Sequence, residues 1–230
     1  MKRPRGHALL SDLPGTLAAA VREAAVDQGI VGSRLHERTA KKYIGAMASN
    51  YEAKRKKQLR WHHENKILTE MLGAIAHADQ TVLDVPVGTG RFLPLYAKHK
   101  LKGWGLDTSE EMLAQARKKS GAKNLKLSVG NVLTDDLPKA HIAISVRFLD
   151  LIDEPAMLIA MDKLMAATNK YILLTIRFGD QYVLKSNTAT HNRRKFMKRI
   201  AMHGWRVAED VPIFSKGWCV LKLAKVRNAQ

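Results

Sequence analysis

A single cysteine, Cys219, stands in 230 residues, so an intramolecular disulfide and a multi-cysteine metal cluster are both excluded. That usage suits a reducing compartment, and the expected localisation is cytoplasmic. Long apolar runs are missing too. No stretch approaches the roughly 18 apolar residues of a membrane span, and the start Met1-Lys2-Arg3-Pro4-Arg5 lacks the apolar segment and cleavage site of a secretory leader. A transit peptide would share the basic start, but Asp12, Glu23 and Asp27 weigh against one, because such peptides are poor in acid. Acidic residues are scarce overall: 21 Asp and Glu face 39 Lys and Arg, a formal charge of +18. A surplus of that size attracts polyanions, so RNA, DNA or a larger assembly joins the expected partners. Residues 181–230 hold 11 basic residues against 2 acidic ones, half of the excess in the last fifty positions.

What is present divides into three parts. Residues 1–39 read as a basic, partly flexible arm, with Leu17 to Ala25 rich enough in Ala for a short helix. Residues 40–78 read as helical, because Tyr43, Met47, Tyr51 and then Leu59, Ile67, Leu68, Met71 and Leu72 recur at three- and four-residue steps. Lys54 to Arg60 reads as a solvated basic face. From residue 79 to 230 short apolar runs alternate with helical segments, which implies βαβ units and a parallel sheet. The expected strands are Thr81 to Val85, Gly103 to Leu106, Leu125 to Val129, Ile142 to Val146, Tyr171 to Ile176, Trp205 to Val211 and Trp218 to Leu223. The expected fold is therefore α/β: a Rossmann-like seven-stranded open sheet with helices on both faces, plus an N-terminal helical extension.

The segment Val82-Leu83-Asp84-Val85-Pro86-Val87-Gly88-Thr89-Gly90-Arg91 is a buried strand ending in a carboxylate, then a glycine-containing turn, then a helix start. Gly88 and Gly90 allow the backbone to approach a ligand closely, and a helix start offers unpaired N–H groups to an anion. A dinucleotide fingerprint needs a third glycine where Leu93 stands. A phosphate-binding P-loop needs Gly-Lys-Ser/Thr where the chain reads Gly90-Arg91-Phe92. Both readings fall.

With its apolar strand, acidic residue and glycine turn, the segment resembles the first motif of the class I S-adenosylmethionine-dependent methyltransferase family. The resemblance spans roughly 51–226 and implies S-adenosylmethionine as cofactor. By it, Asp84 and the backbone of Gly88 and Gly90 would hold the methionine part, with Val85 and Pro86 of the same loop also cofactor-binding. Asp107, 23 residues after Asp84, would accept hydrogen bonds from the two ribose hydroxyls, which a carboxylate can do. Thr108 and Met112 would flank the adenosine, Asn131 and Val132 would meet the adenine, and Arg147 would close the far side. Tyr51 and Arg55, one helical turn apart, resemble a segment that folds over the cofactor, with Arg55 able to pair with its carboxylate. Two positions depart from the family pattern. Pro86 stands where the first glycine is usual, so the turn must do without an N–H and a positive φ there. Asn131 stands where many members have Asp, and it keeps an acceptor in its amide oxygen or serves as a turn residue after Gly130.

No catalytic residue is assigned, because methyl transfer from a sulfonium to a good nucleophile requires no general base. No metal is expected either: His62, His63 and Glu64 are adjacent on a helix and point apart. Cys219, in an apolar strand with no charged neighbour in sequence, reads as a buried thiol. Arg147 has a salt bridge with Asp150 or Asp153 as its alternative to a pocket role. The run Asn192 to Ile200 reads as an amphipathic helix. Phe196, Met197 and Ile200 would face inward, leaving Arg193, Arg194, Lys195, Lys198 and Arg199 as candidate phosphate contacts with no nearby acid in sequence. The Asn/Asp-Pro-Pro-aromatic motif of amino-base methylation is missing after the fourth strand, where Ser145-Val146-Arg147-Phe148-Leu149 stands. Charge favours RNA or DNA as acceptor. A small-molecule acceptor, or a non-catalytic protein that binds nucleic acid or a larger assembly, fits the same residues.

Overall fold

The computed structural model describes residues 46–185, 188–214 and 217–226. The arm at 1–39, with its expected helix, lies outside them. Among the described residues two helices come first, α1 (Ala46–Lys56) and α2 (Leu59–Ile75). The two helices expected within 40–78 are separated at Gln58, which is extended (φ −96°, ψ 123°) and caps α2. On α2, Ile67, Leu68, Met71, Leu72 and Ile75 are buried, as the three- and four-residue spacing requires.

Among the described residues nine strands follow: β1 (Thr81–Asp84), β2 (Lys102–Asp107), β3 (Leu125–Val129), β4 (Ala140–Ser145), β5 (Thr168–Gly179), β6 (Val183–Leu184), β7 (Ala189–Asn192), β8 (Trp205–Pro212) and β9 (Trp218–Lys225). Between them lie α3 (Leu93–Lys98), α4 (Glu110–Ala116), α5 (Glu154–Ala167) and α6 (Arg193–Met202). Strands β3-β2-β1-β4-β5 are parallel neighbours in that order, and β9 and then β8 join antiparallel beyond β5. The seven expected strands are thus present, with ends within three residues of their expected places. The two others, β6 and β7, form a short antiparallel pair attached to the end of β5 at Phe178 and Gly179. They escape a periodicity reading because one is two residues long and the other, Ala-Thr-His-Asn, is mostly polar.

The core has two layers, one on each sheet face. Val82, Ile142, Ile144 and Leu173 pack with α2, α3 and Ala116 of α4. Leu83, Ala143, Ile172 and Leu174 pack with α5 and with Phe196 and Ile200 of α6. Alternation along β1, Val82 to one side and Leu83 to the other, explains why a parallel strand covered on both faces reads as a continuous apolar run. On α4, Ser109 Oγ accepts from the Met112 N–H at 3.3 Å, with Glu110 and Glu111 in the first turn.

Truncating Leu83, which has no exposed surface, leaves a cavity between β1 and α5. Leu83→Ala should lower stability by about 2–5 kcal/mol, read as a lower urea midpoint at unchanged slope. Val129→Ala, on an exposed side chain, should change it by less than about 0.5 kcal/mol.

Candidate active site

Sheet order reverses at β1, whose neighbours β2 and β4 carry the chain away in opposite directions. Such a reversal opens a crevice at the carboxyl ends of the strands, and Asp84 ends β1 there. The Val85 N–H donates to the Ile144 carbonyl at 2.9 Å and the Val87 N–H to the Leu106 carbonyl at 2.8 Å. Pro86 sits between these two donors, so the turn holds together without an N–H at that position. The Val85–Pro86 bond is cis.

Gly88 and Gly90 both have positive φ, +56° and +74°. A Cβ on Gly90 would lie 2.4 Å from Leu93 Cδ1 and 3.1 Å from Ala116, so this glycine lets α3 and α4 approach. Its N–H donates to the Val87 carbonyl at 3.0 Å, and the Gly88 N–H donates to Asp107 Oδ2 at 2.8 Å. Both glycine donors expected to face a ligand therefore close the turn. Among the described residues, the Thr89 and Arg91 N–H groups of the same turn have no acceptor.

A cleft covers this turn. Of the residues singled out from sequence, Tyr51, Asp84, Val85, Pro86, Gly88, Asp107, Thr108, Met112, Asn131, Val132 and Arg147 line it. Gly90 and Arg55 are not among its lining residues. Arg55 instead lies over the Tyr51 ring, 5.1 Å from its centroid, and donates to Gln58 Oε1 at 3.3 Å. Glu52, Thr89, Arg91, Phe92 and Phe148 also line it, and Trp61 adds a lining side chain to which the sequence reading gave no role.

Two buried carboxylates face the cleft from successive strand ends. Asp107 accepts from the Ser109 N–H through Oδ1 at 2.9 Å and from the Gly88 N–H through Oδ2. Burial pushes its carboxyl up, opposed by those backbone donors. The Thr108 N–H also bears on this carboxylate, and part of its roughly four acceptor sites remains for a ligand. Asp84, 2% exposed, accepts from the Tyr96 hydroxyl at 2.8 Å. Burial pushes it up to about 7; the Tyr96 hydrogen bond opposes the rise and the Asp107 charge adds to it. Asn131 uses its amide oxygen to accept from the Leu133 N–H at 3.0 Å, so it acts as a turn residue while also lining the cleft.

Residues 82–170 match the family model described as a methyltransferase domain. The chain therefore carries a methyltransferase domain over those residues. No curated protein matches the sequence. Among solved structures, the fold is similar to magnesium protoporphyrin IX methyltransferase from Synechocystis PCC 6803 with bound S-adenosylhomocysteine. That likeness has 13% identity and a TM-score of 0.63, covering 90% of this chain and 99% of the other. It is also similar to the O-methyltransferase of a trans-AT PKS multienzyme of Brevibacillus brevis, at 12% identity and a TM-score of 0.63, covering 79% and 80%. A third similar structure is the Haloferax volcanii putative methyltransferase in complex with the Trm112 activator, at 16% identity and a TM-score of 0.62, covering 80% and 97%.

On this methyltransferase fold the N-terminal helices are tied to the cleft by Glu64 of α2, which has no exposed surface. Glu64 Oε1 accepts from Arg91 Nη1 at 2.5 Å and Oε2 from Arg147 Nη1 at 3.4 Å, and Arg60 Nε lies 3.8 Å from Oε2. Arg147 thus bonds Glu64 rather than Asp150 or Asp153. Asp153 instead caps α5 by accepting from the Ala156 N–H at 2.9 Å. Arg60, expected on a solvated face, stacks on the Trp218 ring at 3.4 Å. Glu64 was legible in principle: with Trp61, Leu68, Met71 and Ile75 it keeps the apolar stripe's spacing, and an acid inside such a stripe needs a buried partner.

The expected neighbours of Glu64 behave differently from one another. His62 Nε2 donates to the Lys56 carbonyl at 2.7 Å, while His63 stacks on Phe214. On α6, Phe196 and Ile200 are buried and Met197 packs against them. Its basic stripe is partly neutralised by acids distant in sequence. Arg193 pairs with Asp210, Lys195 with Glu154 and Arg199 with Asp162, which corrects the impression of an unrelieved run. Arg194 and Lys198 are exposed. Cys219 does have a charged neighbour, Asp210, and burial together with that charge pushes its thiol up to about 12. Among the described residues no helix is long and apolar enough to cross a membrane.

Asp84 gives the fold a pH signature. Its carboxyl titrates near 3.8 when exposed and at about 7 when folded, so the folded state holds a proton across that window which the unfolded state has lost. The stabilisation from this proton is complete at low pH and is lost as pH rises through about 7. Asp84→Asn removes the titration and keeps an acceptor for Tyr96. Its melting temperature relative to the parent should rise steadily between about pH 4 and pH 7 and then level off. A difference independent of pH would contradict this.

Proposed function

We propose that the chain holds S-adenosylmethionine along the ends of β3, β2 and β1 and transfers its methyl group to a small acceptor beside β4. Asp107 carries this reading: a buried carboxylate at the end of β2, fixed by the Gly88 and Ser109 N–H groups, lining the cleft and keeping part of its acceptor capacity. It would take the two ribose hydroxyls. Thr108 and Met112 would flank the adenosine, and Asn131 and Val132 would meet the adenine. Asp84, Val85, Pro86 and Gly88 would support the methionine part, whose carboxylate would meet the open N–H groups of Thr89 and Arg91. Tyr51, Glu52 and Trp61 would cover it from the N-terminal helices.

When bound, the sulfonium cofactor supplies both the methyl group and its own leaving group. The chain's contribution is to align donor and acceptor and to exclude water. Trp61, Phe92, Phe148 and Met112 give the cleft apolar walls for this purpose, and no lining side chain is assigned as a base. A small acceptor is favoured over RNA or DNA because three of the five candidate phosphate contacts on α6 are paired with carboxylates of the same chain. The relative from Synechocystis is likewise named for a small-molecule acceptor.

Calorimetry with S-adenosylmethionine should show saturable binding that Asp107→Ala weakens by about tenfold or more. Unchanged affinity would refute the ribose assignment. Incubation with labelled cofactor and separate total RNA, DNA and metabolite fractions should place the label in the metabolites, and label in RNA or DNA would restore the nucleic-acid reading. No cofactor binding at millimolar concentration, with salt-sensitive RNA binding intact, would replace the enzyme by a nucleic-acid-binding protein of the same fold.

A further inference from the structure

Three arginines converge where α2 meets the ends of β1 and β4, and their charges are not balanced. Arg60 Nε and Nη2 are buried with no hydrogen-bond acceptor among the described residues, and so is Asp150 Oδ1 without a donor. Burial pushes the Asp150 carboxyl up, against the pull of Arg147 and Arg60, and lowers Arg60 to about 10, with Arg147 adding to the fall. Three guanidinium groups therefore share Glu64 and a carboxylate that resists ionisation. Excess positive charge held out of water is costly, and a ligand oxyanion would offset it.

Only one of the three is placed to receive that oxyanion from the cleft. Arg91 lines the cleft, but Nε donates to Asn65 at 3.2 Å, Nη1 to Glu64 and Nη2 to the Trp61 carbonyl at 2.7 Å. Arg60 is not among the lining residues. Arg147 lines the cleft and gives Nη1 to Glu64, while its Nε and Nη2 have no acceptor among the described residues. Its backbone has φ +58°, a left-handed conformation uncommon for a residue with a side chain, and its N–H is pinned by Thr175 Oγ1 at 2.6 Å. Held at both ends, Arg147 presents one open edge of its guanidinium fork. Strain of this kind persists where surroundings enforce it and clusters at ligand sites.

We propose that Arg147 clamps an oxyanion of the methyl acceptor, so that the acceptor bears a carboxylate or phosphate near the atom to be methylated. This rests on the cofactor reading above. The cofactor would occupy the ends of β3, β2 and β1, and its carboxylate has the Thr89 and Arg91 N–H groups. Arg147 follows β4, on the opposite side of β1 from Asp107, where Phe148 and Leu151 offer an apolar wall for the acceptor's body.

The test uses the full chain saturated with S-adenosylhomocysteine and labelled at arginine Nε with nitrogen-15. Titration with inorganic phosphate and, separately, with benzoate is followed by NMR. The Arg147 Nε–H signal, assigned by its loss in Arg147→Gln, should shift saturably with at least one anion, and which anion binds identifies the acceptor's group. Arg147→Lys keeps the charge without the fork. It should weaken the anion by about tenfold while S-adenosylhomocysteine affinity stays within about threefold. No shift with either anion up to about 50 mM, while S-adenosylhomocysteine binds normally, would overturn the clamp alone, since a fork-bound oxyanion should be detectable there. An Arg147→Lys variant that loses S-adenosylhomocysteine instead would also overturn it, making Arg147 a cofactor residue. Failure of the parent chain to bind S-adenosylhomocysteine would overturn the cofactor reading and this one with it.

Discussion

A parallel sheet whose strand order reverses cannot cover both sides of the reversal with one connection, and at β1 this constraint shapes everything that follows. The chain leaves β1 toward β2 and β3 on one side and returns to β4 on the other, so the loops after β1, β2, β3 and β4 open onto a common crevice. Each contributes what its strand end permits: a turn with two positive-φ glycines, a buried Asp, an Asn at a turn and an arginine in a left-handed conformation. None of these would face the others in a sheet of sequential order. The polar groups gathered there also have to satisfy one another, which is why the Gly88 N–H reaches Asp107 and Tyr96 reaches Asp84.

The second dependence runs through Glu64. A carboxylate with no exposed surface needs partners, and it finds them on the loop after β1 and on the loop after β4. One residue of the N-terminal extension thereby links two strand ends, beyond the apolar contact of Ile67, Leu68 and Met71 with the sheet. The extension and the sheet cannot be treated as separate units energetically: removing Glu64 would leave Arg60, Arg91 and Arg147 facing one another in a partly dry place. The cleft's roof and its wall share one ionic contact.

How much of this could be read from sequence follows from the range of the interactions involved. Strands covered on both faces appear as apolar runs of limited length, so β1 to β5, β8 and β9 were legible, and so was the Ser109 cap. The strand ends carrying Asp84 and Asp107 were legible because position in a βα unit fixes where a residue points. What sequence hides is the choice among partners. Gly88 and Gly90 do take positive φ at the turn, yet their N–H groups donate to Asp107 and to the Val87 carbonyl, partners that local sequence does not reveal. Arg147 had acids three and six residues ahead and took neither, because the left-handed backbone sends its side chain back toward α2. The pair β6 and β7 carries too few apolar residues for any period to emerge.

The net charge shows the same limit at larger scale. A count along the chain finds no acid near Arg193, Arg194, Lys195, Lys198 and Arg199, and suggests a stripe awaiting phosphates. The fold brings Glu154 from the start of α5, Asp162 from its middle and Asp210 from β8 to meet three of the five. Surface pairs of this type add little stability, but they change the field that an approaching polyanion meets, since a paired guanidinium is a dipole rather than a monopole and its field falls off faster. Behind the cleft wall the balance differs, because Arg60, Arg91 and Arg147 meet there with Glu64 and Asp150 as their acids. The junction of α2 with the loops after β1 and β4 therefore gathers three arginines, of which Arg91 and Arg147 also line the cleft, whereas three of the five cations on α6 are answered by acids of the same chain.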